Sequence, residues 1–372
     1  MDLIEFQFKS SGRFAKKYVI VRWLYSLVFF ILGLNVFAQD PQFSQYYNAP
    51  LYLNPAFAGA TPCSRLVANY RDQWSVFPGS FNTFAVSYDH NFDKYNSGLG
   101  FMALTDIAGP AGLRSTELSA IYSYVLKVNR KWSVRAGLQP TFVNRAIDFY
   151  KLTFPDQYSN NGYLNTPSAD YSNFQGVINY FDISSGLLAY NDNFWFGIAG
   201  DHLNMPNQSF SNTNGVSRLP IKLSFHGGYK FWLRDYNRKP KPSDPERSIS
   251  PTFMYKHQGP FNQLDIGVYM NYQPFLFGVW YRGIPLLRNA VGYNNYDAIF
   301  AQIGYQIGGI AISYSYDYTI SGLAGLTGGS HEVAVIYLFC DQNYPKKKKP
   351  PMKHRRLPCP QFYEQFFDEL PH

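Results

Sequence analysis

Along most of this chain apolar side chains alternate with polar or small ones, and a repeat of two residues fits only strands. Between Trp132 and Phe142, residues Trp132, Val134, Ala136, Leu138, Pro140 and Phe142 share one face, while Ser133, Arg135, Gly137, Gln139 and Thr141 share the other. The dyad recurs at Leu264, Ile266, Val268 and Met270 against Gln263, Asp265, Gly267 and Tyr269. It returns at Ile310, Ile312, Tyr314 and Tyr316 against Ala311, Ser313, Ser315 and Asp317. Fourteen such runs are expected, near 65–74, 82–91, 98–106, 115–126, 131–142, 181–190, 194–203, 218–232, 248–257, 262–272, 275–282, 296–306, 310–318 and 331–339. Most match the ~9–11 residues that a tilted strand needs to cross an outer membrane. Only 16% of the residues are charged, against ~25% in soluble proteins, so charge alone does not solubilise the fold. The 31 Tyr and 32 Phe favour strands and supply candidates for interfacial girdles. The expected fold is all-β: a transmembrane antiparallel up-and-down barrel of about fourteen strands, oily face on lipid and polar face on the lumen.

The connections support an orientation. An even strand count returns both ends to the periplasm, and such barrels have short inner turns and longer outer loops. Inner turns are expected at 127–130, 191–193, 273–274 and around Gly308, and outer loops at 143–180, 204–217, 283–295 and 319–330. Two connections run against the rule, a long inner one at 233–247 and a short outer one at 258–261.

The ends read differently from the barrel. Lys16, Lys17 and Arg22 precede the apolar stretch Trp23–Leu34, and Val36-Phe37-Ala38 offers small side chains to a signal peptidase. Residues 1–38 are therefore expected to be a secretory signal peptide cut near Ala38/Gln39, with an N-terminal membrane anchor as the alternative. Residues 39–64 form a periplasmic or plug segment, 65–340 the barrel, and 341–372 a periplasmic tail rich in Pro, Lys and Arg. The net charge of +8 sits largely at these ends. Residues 1–38 hold 5 basic and 2 acidic side chains and 341–372 hold 7 and 4, leaving 21 and 19 between them. A middle with a net charge of +2 argues against a nucleic-acid partner. In the tail, Lys346, Lys347, Arg355 and Arg356 are candidates for docking a periplasmic partner, beside the alternatives of a solvated extension or contact with anionic lipid.

No catalytic or cofactor motif stands out, and the chain is read as non-enzymatic. Gly98-Leu99-Gly100-Phe101-Met102-Ala103 has dinucleotide-type glycine spacing, but it opens a strand with no helix after it, so its glycines are expected to serve close packing. His331-Glu332 lacks a second His and reads as a solvated strand end, and Asp201-His202 reads as rim residues. Inward charges, among them Arg135, Lys222, Asp265 and Asp317, suit a lumen network. The three cysteines lack metal-site spacing, and an oxidising periplasm allows Cys340 and Cys359 to pair, closing the tail into a loop.

At Asp40–Ala60 the sequence DPQFSQYYNAPLYLNPAFAGA strongly resembles the opening motif of the PorP/SprF family of type IX secretion membrane proteins of the Bacteroidetes. The likeness continues through Tyr70–His90, Gly98–Gly112, Ser119–Gln157, Phe194–Pro206, Gly328–Phe339 and Leu357–Phe362. The resemblance implies a component of the type IX machinery in the outer membrane. Its partners would be membrane lipid, other secretion components and the C-terminal sorting domain of particular secreted proteins, of adhesin or gliding type. Because the opening motif precedes the first strand, Gln42, Phe43, Gln45, Tyr46, Asn54 and Pro55 are expected at the inner mouth. There they either pack against or plug their own barrel, or bind a periplasmic partner. A passive or gated channel for a small solute is the alternative function, and an outer-membrane hydrolase a more distant one.

Overall fold

A computed structural model describes residues 40–339, apart from 78, 130, 161, 165, 213–214, 234–246 and 289–293. The signal segment 1–38, the tail 341–372 with Lys346, Lys347, Arg355 and Arg356, and both Cys340 and Cys359 lie outside the described residues.

Fourteen antiparallel strands close into a barrel. They are β1 (Ser64–Gln73), β2 (Phe81–Phe92), β3 (Ser97–Ala108), β4 (Leu113–Lys127), β5 (Ser133–Ala146), β6 (Val177–Tyr190) and β7 (Phe194–Asp201). The second half comprises β8 (Lys222–Tyr229), β9 (Arg247–Gln258), β10 (Phe261–Tyr272), β11 (Phe275–Arg288), β12 (Asn294–Ile307), β13 (Ile310–Thr319) and β14 (Ser330–Phe339). Each strand pairs with the next in sequence, and β1 closes the ring on β14, from Ser64 opposite Phe339 to Gln73 opposite Ser330. Closure leaves no edge of unpaired backbone, the condition for strands to cross lipid. No described helix is long and apolar enough to span a membrane.

The strands follow the expected alternation. In β5 Ser133, Arg135, Gly137, Gln139 and Thr141 are buried while Ala136, Leu138, Pro140 and Phe142 are exposed. On β10 Asp265 and Tyr269 are buried, with Ile266, Val268 and Met270 exposed. This inverts a soluble protein, in which Leu138 and Ile266 would form the core. The largest boundary shifts fall in three places. The strand expected from residue 218 begins at Lys222, where pairing with Asp201 starts, β11 runs on to Arg288 past irregular pairing at Gly283, and the long outer loop shortens to 147–176.

That outer loop has structure of its own. Phe149 stacks on Phe174 at 4.9 Å, Tyr150 lies 4.8 Å from Tyr171, and a two-rung hairpin joins Tyr158–Ser159 to Gly162–Tyr163. The Phe174–Ser211 bridge ties it to the 202–221 loop. Asp156 accepts hydrogen bonds from the Ser168 hydroxyl (2.9 Å) and the Ala169 amide (2.8 Å), which hold its carboxyl below the usual range.

The lipid face gives a direct test. Val279 lies midway along β11, opposite Val268 and Ala301, and is 58% exposed. Val279→Arg should destabilise the barrel by about 2–4 kcal/mol in urea titrations in lipid vesicles, the cost of a cation near the bilayer midplane. Val216→Arg, in an outer loop, should leave the midpoint unchanged.

Candidate functional site: the occupied lumen

The segment between Pro41 and Pro62 lacks the alternation of the barrel, and its short 3-10 turns and single α-turn (α1, Pro50–Leu53) leave most of its backbone polar groups without local partners. Inside a barrel those groups need partners from the inward side chains. The segment lies within the lumen, where it touches inward residues of nearly every strand.

In the outer half the partners are ionic. Glu332 accepts from the backbone amides of Ser44 (2.7 Å) and Gln45 (3.0 Å). The Ser44 hydroxyl donates to Asp317 (2.5 Å) and accepts from Arg71 and Arg282, both at 2.8 Å. Arg71 in turn pairs with Asp317 (3.0 Å) and Glu332 (3.2 Å), while Arg282 pairs with Asp317 (2.9 Å) and Asp265 (3.2 Å). Ser44 and all five charged residues are buried, so the ions pair among themselves and Ser44 adds hydrogen bonds to both cations and to two of the three carboxylates. Gln45 donates to Ser315 (3.2 Å) and the Glu332 carbonyl (3.0 Å), and Asn48 donates to Ser313 (2.9 Å).

Midway the contacts turn aromatic and amide-like. The Tyr46 hydroxyl meets Thr252 at 3.0 Å, and Tyr47 accepts from the Trp195 indole at 2.6 Å. Trp280 stacks on Phe300 at 5.0 Å and packs edge-on to Tyr269 at 4.3 Å. Asn54 donates to the carbonyls of Leu187 (3.1 Å) and Ile198 (3.2 Å) and meets His226 at 3.2 Å, while its own carbonyl caps the Ala56 amide at 2.9 Å. At the inner end Arg135 donates to the carbonyls of Ala56 (3.1 Å) and Ala58 (2.5 Å), and Asp89 accepts from the Gly59 amide (2.8 Å) and from Arg65 (2.7 Å).

Glycine makes room for this path. A Cβ on Gly137 would stand 2.4 Å from Ala56 N and Pro55 C, and one on Gly98 would stand 2.1 Å from the Ala58 carbonyl oxygen. Gly98 therefore serves close packing within a strand, as the sequence reading had it. Gly59 itself adopts φ +60°, a left-handed turn suited to glycine.

Several expectations change. The opening motif was expected at the inner mouth, where Ala56, Ala58 and Gly59 lie, but its earlier part runs deeper, with Ser44 and Gln45 at the Arg71–Glu332 level, close to the Gln73–Ser330 end of the seam. Phe43, Gln45, Tyr46, Asn54 and Pro55 are buried and Gln42 half-buried within the barrel. Glu332, read as a solvated strand end, is fully buried. The outward run Val333, Val335, Tyr337 already required it to point inward, but its partner sits 288 residues away in sequence. His202 bonds Asp182 (2.8 Å), while its neighbour Asp201 pairs with Lys222 (3.1 Å). Cys63 is disulfide-bonded, and the expected Cys340–Cys359 pair lies outside the described residues. Among the described residues no cluster of His, Cys, Asp and Glu could hold a metal.

Fold and lumen together define an outer-membrane β-barrel whose bore is filled by its own N-terminal segment. The chain belongs to the family of type IX secretion system membrane proteins PorP/SprF, whose model matches residues 35–337. A comparison with curated proteins finds no match. Among solved structures the chain is similar to the CymD monoaromatic hydrocarbon channel, at 14% identity and TM-score 0.42, over 82% of this chain and 95% of that one. It is also similar to a Pseudomonas aeruginosa FadL homologue, at 14% identity and TM-score 0.43, over 83% and 96%. Likeness this low carries no argument about activity.

Two substitutions test the site. Arg282→Met should destabilise the barrel by about 3–5 kcal/mol, because Asp265 and Asp317 lose their shared cation in a buried setting; adding Asp317→Asn should recover part of that loss in a double-mutant cycle. Gly137→Val should cost about 1–3 kcal/mol by overpacking against Pro55 and Ala56, and limited proteolysis should then cut within 41–62, where the unsubstituted barrel resists.

Proposed function

We propose that this protein is a non-enzymatic component of type IX secretion that delivers or anchors particular exported proteins, of adhesin or gliding type, at the cell surface through their C-terminal sorting domain. It reaches the outer membrane by way of a signal peptide, residues 1–38, cut near Ala38/Gln39. The observation that carries this reading is the occupied lumen. A solute channel of the passive kind needs an open bore, whereas here Ser44, Gln45, Asn54 and Gly59 are bonded to the wall along its length. Family membership supplies the secretion context. The aromatic outer loop, with Tyr150, Tyr158 and Tyr163 exposed, offers surface for contact with an exported domain, and the basic tail is free in this reading to meet periplasmic machinery.

Deleting the gene should leave one or a few proteins that bear the sorting domain inside the cell or shed to the medium, while the rest of the exported set is displayed normally. Unchanged display of the whole set would sink the proposal. In planar bilayers the intact barrel should be silent, and one lacking residues 42–60 should conduct; steady conductance from the intact protein would favour the channel instead.

A further inference from the structure

We propose that a recess at the outer end of the lumen, between Lys256 of β9 and Ser224 of β8, takes the terminal carboxylate of an exported protein. The inference rests on the secretion role proposed above and names the group that the exported chain presents. Lys256 and Ser224 are direct cross-strand partners on the inward face, and Gln263 of β10 stands opposite Lys256 on its other side. Lys256 is half-buried, yet among the described residues it makes neither an ion pair nor a hydrogen bond. Asp265, the acid diagonal to it, is already engaged by Arg282 (3.2 Å) and Gln263 (3.0 Å). Lys222, next toward the rim, is held by Asp201 at 3.1 Å. Ser224 is 3% exposed, and its hydroxyl likewise has no hydrogen-bond partner among the described residues. A cation and a hydroxyl drawn away from water without an acceptor are costly. The two oxygens of one carboxylate satisfy both.

The surroundings select a chain terminus. Only Gly259 and Pro260 join β9 to β10, so the outer rim is low beside Lys256, whereas the 147–176 and 202–221 connections are long. The lumen segment closes the recess from within, its Tyr52 ring standing 5.2 Å from the Lys222 ammonium. Entry is therefore from the cell surface. Both Lys256 and Ser224 point into the ring, away from the phosphates of the surrounding lipid. An acidic side chain carried on a loop would need room for two passes of backbone, and a chain end needs room for one. Recognition of a terminal carboxylate also fits a partner that engages through its C-terminal domain.

The test uses the full-length barrel in nanodiscs. The probe is the whole exported protein whose surface display the gene deletion abolishes, prepared with its C-terminus free and with it amidated. The free form should bind about 10–100-fold more tightly than the amide, the range for a hydrogen-bonded charge. Lys256→Met should bring the free form down to the level of the amide and leave the amide's affinity unchanged, while Lys256→Arg should keep most of the difference. Equal binding of the two forms to the wild type would overturn the carboxylate site and leave the secretion role standing. A difference that survives Lys256→Met places the terminus elsewhere and also overturns the site. Binding of neither form removes the secretion role and this site with it. If Lys256→Met does not fold, Ser224→Ala takes its place and should narrow the difference by about 2–10-fold; an unchanged difference contradicts the proposal.

Discussion

A chain segment without regular structure can lie inside a membrane protein only if the surrounding wall supplies the hydrogen bonds that water would otherwise give. Here that requirement is met by Glu332, Asp89, Arg135 and the Ser44-centred ion cluster. The inward face of the barrel is therefore more than a polar lining. Arg71, Arg282, Asp265, Asp317 and Glu332 are too closely spaced and too deeply buried to be tolerated as isolated charges, and it is the backbone and hydroxyl of the lumen segment that complete their bonding. Wall and segment each leave costly groups unpaired without the other, which makes the filled bore a property of the native state as a whole.

A selectivity ring works because its charges face water and remain available, whereas Arg71, Arg282, Asp265, Asp317 and Glu332 are paired with one another and with the lumen segment. The faces left for other molecules are then the outer loops and the inner rim.

Much of the barrel was legible in the sequence because lipid imposes a repeat of two on every strand, so that Leu138 against Gln139, or Ile312 against Ser313, declares its face locally. The even strand count and most inner turns followed from the same signal. The lumen was harder to read. Residues 41–62 have no periodicity, and their partners are set by long-range closure of the ring: Ser44 meets Asp317 and Arg282, and Asn54 meets His226, across separations that no local pattern encodes. The inward direction of Glu332 was available from Val333 and Val335, yet the adjacent exposed His331 suggested a wet strand end.

The central claim is that residues 41–62 are an integral part of the folded bore, and hydrogen exchange of the intact barrel in detergent or nanodiscs tests it most directly. The amides of Ser44, Gln45, Ala56 and Gly59 should exchange as slowly as those of the neighbouring strands β1 and β14. Exchange of these four at the rate of an unstructured peptide, with the strands still protected, would contradict the account.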